Sequence, residues 1–123
     1  MIRRLNVYEA VQERLKLIFD NFDYVYVSFS GGKDSGALLN LCVEYIRKNL
    51  PGRKLGVLHL DYEAQYSHTT EYVAKRLSED SDILEVFHCC VPFKVATCTS
   101  MFQSYWRPWE DSKKDIWVRE MPD

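Results

Sequence analysis

The stretch from Tyr24 to Ser35, Tyr-Val-Tyr-Val-Ser-Phe-Ser-Gly-Gly-Lys-Asp-Ser, determines the predicted fold of this 123-residue chain. Its first six residues are β-branched and aromatic, which predicts a strand that is buried on both faces. The glycine pair follows at once, and apolar residues recur at helical spacing from Ser35 onward. The order strand, glycine loop and helix lets backbone amides at the helix N-terminus converge on one anion.

We therefore expect the loop to bind phosphate. Gly31 and Gly32 allow the backbone to approach a phosphate closely and to take φ values that side chains resist. Ser30 and Ser35 add hydroxyl donors on either side, and Ser35 is also placed to cap the following helix. A tight strand-to-helix turn that is rich in small residues is the structural alternative.

The two charged residues of the loop allow more than one interpretation. Lys33 either supplies a point charge to phosphate oxygens or extends into solvent. Asp34 would be repelled by an anion unless it orients the loop or holds a cation such as magnesium. No other metal ligand is predicted. The candidate phosphate-binding residues are Ser28, Ser30, Gly31, Gly32, Lys33, Asp34 and Ser35.

Two widespread nucleotide-binding motifs do not fit this loop. The Walker A pattern needs a glycine where Val27 stands and a serine or threonine where Asp34 stands. The dinucleotide fingerprint fails because the glycines fall at positions 31, 32 and 36.

The remaining sequence alternates helices and strands. We predict helices over residues 6–21, 35–49 and 67–77, and strands over 24–29, 55–60 and 83–88. Asn6 and Glu9 have the spacing of a capping box at the first helix. This order implies parallel strands joined by right-handed crossovers, in a three-layer α/β/α fold. A partner chain or a missing C-terminal region is expected to cover the sheet edge.

We expect residues 1–96 to form one nucleotide-binding α/β domain and residues 97–123 to form an irregular, aromatic-rich segment. With 16 basic and 18 acidic residues, the net charge of −2 makes nucleic acid an improbable partner. No stretch has the length and apolarity of a membrane span or a signal peptide, which favours a cytoplasmic location. The cysteines at 42, 89, 90 and 98 form no Cys-x-x-Cys pair, and Cys42 has the pattern of a buried thiol.

The Ser-Gly-Gly-Lys-Asp-Ser loop resembles the pyrophosphate-binding loop of the adenine nucleotide α-hydrolase-like, or PP-loop ATP pyrophosphatase, superfamily. Four further segments resemble the phosphoadenosine phosphosulfate (PAPS) reductase family, in the branch of the immunoglobulin-binding-regulator A type. These segments are 58–66, 89–92, 106–109 and 115–122. Family members are longer, so the resemblance implies an N-terminal portion or a truncated form.

The resemblance implies a bound adenine nucleotide, ATP or PAPS, with Mg²⁺ accompanying ATP. It implies that His59, Leu60 and Asp61 contact the base and ribose, mostly through their backbone. Alternatives remain for the side chains: His59 is read equally as a satisfied strand-end histidine, and Asp61 as a loop-capping carboxylate. Glu63 is expected at the solvated surface, and the tryptophans of residues 97–123 are expected to pack in a core or interface.

The resemblance leaves the activity open. The family's Glu-Cys-Gly-Leu-His segment does not occur before residue 123, and Cys89-Cys90 matches only half of the family's iron-sulfur ligand set, so no cluster is expected. The parent protein would then be a PAPS reductase-like or adenylyl-transferring enzyme. The alternative is a regulatory or nucleotide-sensing fragment. Association with nucleic acid is disfavoured by the near-neutral charge.

Overall fold

The structure, a computed structural model, describes residues 4–123. The helices are α1 (Val7–Asn21), α2 (Lys33–Asn49) and α3 (Ser67–Ser78), followed near the C-terminus by a short 3₁₀ helix, η1 (Asp111–Ile116). The strands are β1 (Tyr26–Ser28), β2 (Leu55–Leu60), β3 (Leu84–Cys89), β4 (Val95–Ala96) and β5 (Tyr105–Trp106). The alternation of helices with a three-stranded parallel sheet fits the predicted three-layer α/β/α fold class, and the described residues supply the sheet and the helical layer on one of its faces.

The central sheet has three parallel strands in the order β1-β2-β3, in a register that aligns Val27, Val57 and Val86. Crossovers between parallel strands are right-handed in nearly all proteins, so a sequential strand order places α2 and α3 on the same face. The core lies between that face and the helices, with Leu39 and Leu55 fully buried.

The opposite face of the sheet is open among the described residues. Tyr26 and Phe87, which point to that face, are 66% and 56% exposed. The prediction of a strand over Tyr24–Phe29 that is buried on both faces is therefore wrong in extent and in burial: β1 has three residues, and Tyr24 is 97% exposed. A β-branched and aromatic composition does not distinguish one buried face from two: Val27 and Phe29 face the helices, whereas Tyr26 faces the open side.

The ends of the other elements follow the sequence closely. Asn6 accepts a hydrogen bond from the Glu9 amide, and the Glu9 side chain accepts one from the Asn6 amide, so the predicted capping box is confirmed. Strand β3 begins one residue later than predicted, because Ile83 belongs to the preceding turn, in which its amide donates to the Asp80 carbonyl at 2.8 Å. Cys42 is a buried free thiol, as expected, and burial raises its pKa to about 11.

The segment after β3 is only partly irregular. Strands β4 and β5 pair antiparallel, and η1 follows them. Trp109 is 1% exposed and meets Trp117 edge to face, with ring centroids 5.2 Å apart. The expectation that tryptophans of this segment pack inside the protein is confirmed for Trp109. Across the described residues, no helix has the length and apolarity needed to cross a membrane.

Candidate functional site

The glycine loop lies between the end of β1 and the start of α2, and Gly31 determines its shape. Gly31 has φ of +86°, and a Cβ at this position would lie 2.7 Å from Val73 Cγ2 and 3.2 Å from Thr69 Cγ2. Both the backbone and the close approach of α3 therefore require glycine here. Gly32 has φ of −81°, which any residue adopts, so the expectation of an unusual φ applies to one glycine of the pair only.

The serines close the loop upon itself. The Ser30 and Ser35 hydroxyl oxygens lie 3.0 Å apart, and the Ser30 amide donates to Ser35 Oγ at 3.2 Å. Ser30 Oγ also accepts from the Gly32 amide at 3.3 Å. The prediction that Ser35 caps α2 is wrong, since the helix begins at Lys33, two residues before Ser35, with Gly32 as the N-cap residue and no side-chain cap.

The start of α2 supplies the positive field of the site. The first amides of a helix have no intrahelical acceptor, so those of Lys33, Asp34 and Ser35 are available to an anion. The side chains of Lys33 and Asp34 are exposed and have no ion-pair or hydrogen-bond partner among residues 4–123. Ser28 stands at the end of β1 with its side chain exposed on the open sheet face.

His59, at the end of β2, ties the first two strands together. Its Nδ1 lies 2.8 Å from the Phe29 carbonyl oxygen, which can only accept, so the ring carries its proton on Nδ1. The residue is 1% exposed. Burial lowers the pKa of His59, the Phe29 carbonyl opposes that shift, and His88 adds to it. His59 is thus a neutral histidine that fixes the strand ends beside the loop, as the structural alternative proposed.

Asp61 is the centre of a buried polar network. Its carboxylate accepts from His88 Nε2 at 2.7 Å, from the Glu63 amide at 2.8 Å and from the Arg119 guanidinium. Burial alone would raise the pKa of Asp61, but Arg119, His88 and the Glu63 amide together lower it below its usual range. The carboxylate is therefore ionised and satisfied, in the loop-capping role.

Glu63 connects this network to the C-terminal segment. Its side chain accepts from the backbone amides of Trp109, at 2.9 Å, and Val118, at 3.4 Å. The Trp109 indole donates to the Asp61 carbonyl at 2.9 Å. The expectation that Glu63 is solvated is wrong, since it is 7% exposed and takes φ of +64°. Its partners lie 46 to 55 residues away, and no local pattern shows them.

The comparisons with known proteins agree with this geometry. A family model described as phosphoadenosine phosphosulfate reductase domain matches residues 24–107, which include the glycine loop and β1 to β5. The chain belongs to the phosphoadenosine phosphosulfate reductase family. Within the family, it is 39% identical over 119 residues to Uncharacterized protein YbdN of Escherichia coli (strain K12). The match covers 96% of this chain and 28% of that relative. No solved structure matches the chain.

Three groups of this PAPS reductase-family chain are close enough to hold a metal ion. Ligand atoms of His59, Asp61 and His88 lie within 4.8 Å of one another. The hydrogen bonds already described satisfy both Asp61 oxygens, however, and the Arg119 guanidinium on the same carboxylate would repel a cation. The cluster is complete as a hydrogen-bonded network, and we assign it a structural role.

Burial raises the pKa of two of the four cysteines, Cys42 and Cys90. All four are free thiols. Burial and the negative charge of Asp61 raise the pKa of Cys90 to about 11, so this thiol is protonated at neutral pH and is a poor nucleophile.

The sequence did not reveal that Arg119 fastens the C-terminal segment to the end of β2. Arg119 donates to Asp61 and to the Glu63 carbonyl, and its guanidinium lies 5.0 Å from the centroid of the Trp109 ring. The family resemblance of residues 115–122 marks this segment but does not place it against β2. The signal that could have located its partner is the pair of carboxylates directly after β2, because buried acids in a strand-end loop need a cation.

Proposed function

We propose that this chain is an adenine-nucleotide-binding domain that holds the phosphates of ATP or PAPS on the loop Ser30–Ser35. The observation that carries the proposal is the conformation of Gly31. Its positive φ and its close packing against α3 direct the backbone into the start of α2, where the first amides have no intrahelical acceptor. Membership of the PAPS reductase family supports a nucleotide-related function.

The nucleotide would lie across the carboxyl ends of the parallel strands, where ligands bind in open α/β sheets. Leu60 is 36% exposed there and offers its backbone to the base or ribose. The side chains of His59 and Asp61 face inward and have partners already, so any contact from these two residues would come from their backbone. Their side chains then hold the edge rigid for the ligand.

For the parent protein, the chemistry that fits this loop is adenylyl transfer or reaction of a sulfated nucleotide. Lys33 and the loop amides would stabilise negative charge on the departing phosphate oxygens. Mg²⁺, bound with ATP, would supply further charge neutralisation, and Asp34 is the exposed carboxylate placed to meet it. The chain spans only 28% of the length of its curated relative, so residues outside it would complete any such reaction.

A nucleotide-sensing role without catalysis is the second candidate. It is favoured by the state of the thiols, because the partly buried Cys90 has a raised pKa and Cys42 is sealed in the core. A reductase needs a reactive thiolate, whereas the raised pKa values of Cys42 and Cys90 keep these two thiols protonated at neutral pH. This role requires binding by the same loop.

Calorimetric titration of ATP and of PAPS tests the proposal. Lys33→Ala should weaken the preferred nucleotide by about 1.5 to 3 kcal/mol, the range for hydrogen bonds to charged groups. Lys75→Ala, which removes another exposed lysine from α3, is the matched control and should bind like the wild type. If the wild type and a folded Lys33→Ala protein bind the nucleotide with equal affinity, Lys33 does not contact the phosphates. If the wild type binds neither ATP nor PAPS, the proposal is wrong.

A further inference from the structure

The hairpin of β4 and β5 presents two large apolar side chains to solvent at its tip. Met101 and Phe102 are both fully exposed, although the loop that carries them has internal hydrogen bonds. The Ser100 hydroxyl oxygen accepts from the Phe102 amide at 3.2 Å and from the Gln103 amide at 3.1 Å. Adjacent exposed apolar residues of this size are typical of a surface that binds a partner.

A concave, positively charged surface lies at the base of the same hairpin, beside η1. It is a cavity of about 220 Å³, and we call it the basic groove. Gln103 lines it and directly follows Phe102, so the apolar tip and the basic groove form one continuous surface. The other principal lining residues are Lys94, Tyr105, Trp106, Arg107 and Lys113.

Two positive charges of the basic groove are not neutralised within the protein. Lys113 pairs with Glu110, the one acid of the lining, with Nζ 3.1 Å from the carboxylate. The Lys94 Nζ lies 3.9 Å from the centroid of the Tyr105 ring, which leaves its charge exposed. Arg107 is exposed and has no hydrogen bond or close ion pair among residues 4–123. Lys94 and Arg107 therefore remain available to an anionic group.

The basic groove rests on a part of the chain that is fixed against β2. Pro108 and Trp109, which directly follow Arg107, are buried. The Trp109 indole donates to the Asp61 carbonyl at 2.9 Å. The backbone at Arg107 is thus held in place before a partner binds, and a preorganised surface loses less conformational entropy on binding.

An acidic peptide segment that also carries an apolar residue matches this surface best. A guanidinium can form two parallel hydrogen bonds with one carboxylate, and the Met101 and Phe102 side chains offer contact to an apolar group. In a two-fold contact with a second copy of this chain, the basic groove would face itself and be repelled. Nucleic acid fits less well, because two free charges neutralise few phosphates.

We propose that the tip of the β4–β5 hairpin and the basic groove together dock an acidic, partly apolar peptide segment of a different protein. Carboxylates of that segment would meet Arg107 and Lys94, and its apolar side chain would pack on Met101 and Phe102. The inference does not rest on nucleotide binding, because the groove shares no lining residue with the loop Ser30–Ser35.

The test begins with selection from a phage-displayed library of random peptides on the wild-type chain. The most strongly enriched peptide is then titrated by calorimetry, in its selected form and with its acidic residues changed to amides. Arg107→Glu and Phe102→Ser alter the two halves of the surface. Arg14→Glu and Leu17→Ser are the matched controls, because both residues are exposed on α1 and lie outside the hairpin and the groove.

The enriched peptides should carry aspartate or glutamate beside an apolar residue. Arg107→Glu and Phe102→Ser should each weaken binding at least tenfold, and the amide form of the peptide should bind the wild type at least tenfold more weakly. Arg14→Glu and Leu17→Ser should stay within twofold of the wild type. Thermal unfolding shows which variants are folded, and if one surface variant is not, the other decides together with the amide peptide.

The inference is overturned if no peptide is enriched, if the enriched peptides lack acidic residues, or if surface variants and controls bind them alike. Sedimentation that shows self-association of the wild type, abolished by Arg107→Glu, would contradict it in favour of a second copy. Binding of a single-stranded RNA that Arg107→Glu weakens and Phe102→Ser leaves unchanged would contradict it in favour of nucleic acid.

Discussion

The glycine loop and the end of β2 lie side by side, but they are built in opposite ways. The side-chain hydrogen bonds that shape the loop join residues no more than five positions apart. Asp61 and Glu63, at the end of β2, bond with His88 on β3 and with residues of the C-terminal segment that lie 46 to 58 positions away. The hydrogen bonds of the loop are thus local, whereas the end of β2 takes its partners from distant parts of the chain.

The largest effect on stability is expected at Asp61, whose carboxylate bonds with residues far away in sequence. Asp61→Ala leaves Arg119 and His88 without their partner, and it should reduce the free energy of unfolding by about 3 kcal/mol, the lower end of the range for breaking a buried ion pair. The lower end applies because the Arg119 side chain is still 23% exposed. Urea unfolding followed by tryptophan fluorescence measures the loss.

Asp111→Ala is the matched control for that experiment, because Asp111 is an exposed acid on η1. It should change the free energy of unfolding by less than about 0.5 kcal/mol. Equal stability of the Asp61 and Asp111 variants would show that the docked segment contributes little to the fold.

The second prediction concerns the loop itself. Gly31→Ala and Gly52→Ala each place a side chain on a residue with φ of +86°. Backbone strain should therefore lower the free energy of unfolding of both variants by about 1 kcal/mol. Only Gly31 has a neighbour in the way, with Val73 Cγ2 at 2.7 Å, whereas nothing lies within 4 Å of the Gly52 position. Gly31→Ala should therefore be the more destabilised in thermal unfolding. Equal losses would mean that α3 does not press on the loop.

Acidification should loosen the end of β2 before the loop. The pKa of Asp61 is lowered in the folded protein, so the unfolded chain binds the proton more readily. The stability that Asp61 contributes is fully present above the usual aspartate pKa of 3.8 and is lost as the pH falls through its lower folded value. The loss should be smaller than that of Asp61→Ala, because the protonated carboxyl keeps its volume and some hydrogen bonds.

Asp61→Asn cannot ionise and provides the comparison for this pH dependence. Its stability should vary less than that of the wild type over the same acidic range when both are unfolded by urea at a series of pH values. Parallel curves would contradict the ionised state that the structure assigns to Asp61.

The smallest effect is expected at the first helix, far from both regions. Asn6→Ala removes the acceptor for the Glu9 amide and should cost about 1 kcal/mol, the usual value for loss of an N-cap. Nucleotide affinity should not change, since this cap lies outside the candidate site. A change in ATP affinity without a change in stability would contradict this account, because it would mean that the Asn6 cap is coupled to the nucleotide site.

The same contrast explains what the sequence could predict. The capping box at Asn6, the three helices and the strand-loop-helix unit around Gly31 depend on neighbours in sequence, and the patterns located them. The burial of Glu63 depends on the C-terminal segment, because the amides of Trp109 and Val118 donate to its carboxylate. The exposure of Tyr24 and Tyr26 depends on which face the crossover helices cover, and composition alone does not specify that face.

The most direct test of the central claim, that the glycine loop binds the nucleotide's phosphates, is titration of ATP against Gly31→Val with Gly52→Val as the control for strain. Thermal unfolding of the same samples shows which proteins are folded. We predict that wild type and Gly52→Val bind ATP alike, whereas folded Gly31→Val loses binding by at least tenfold, because a side chain at position 31 displaces the loop from α3. A folded Gly31→Val that binds ATP as tightly as the wild type would contradict the claim.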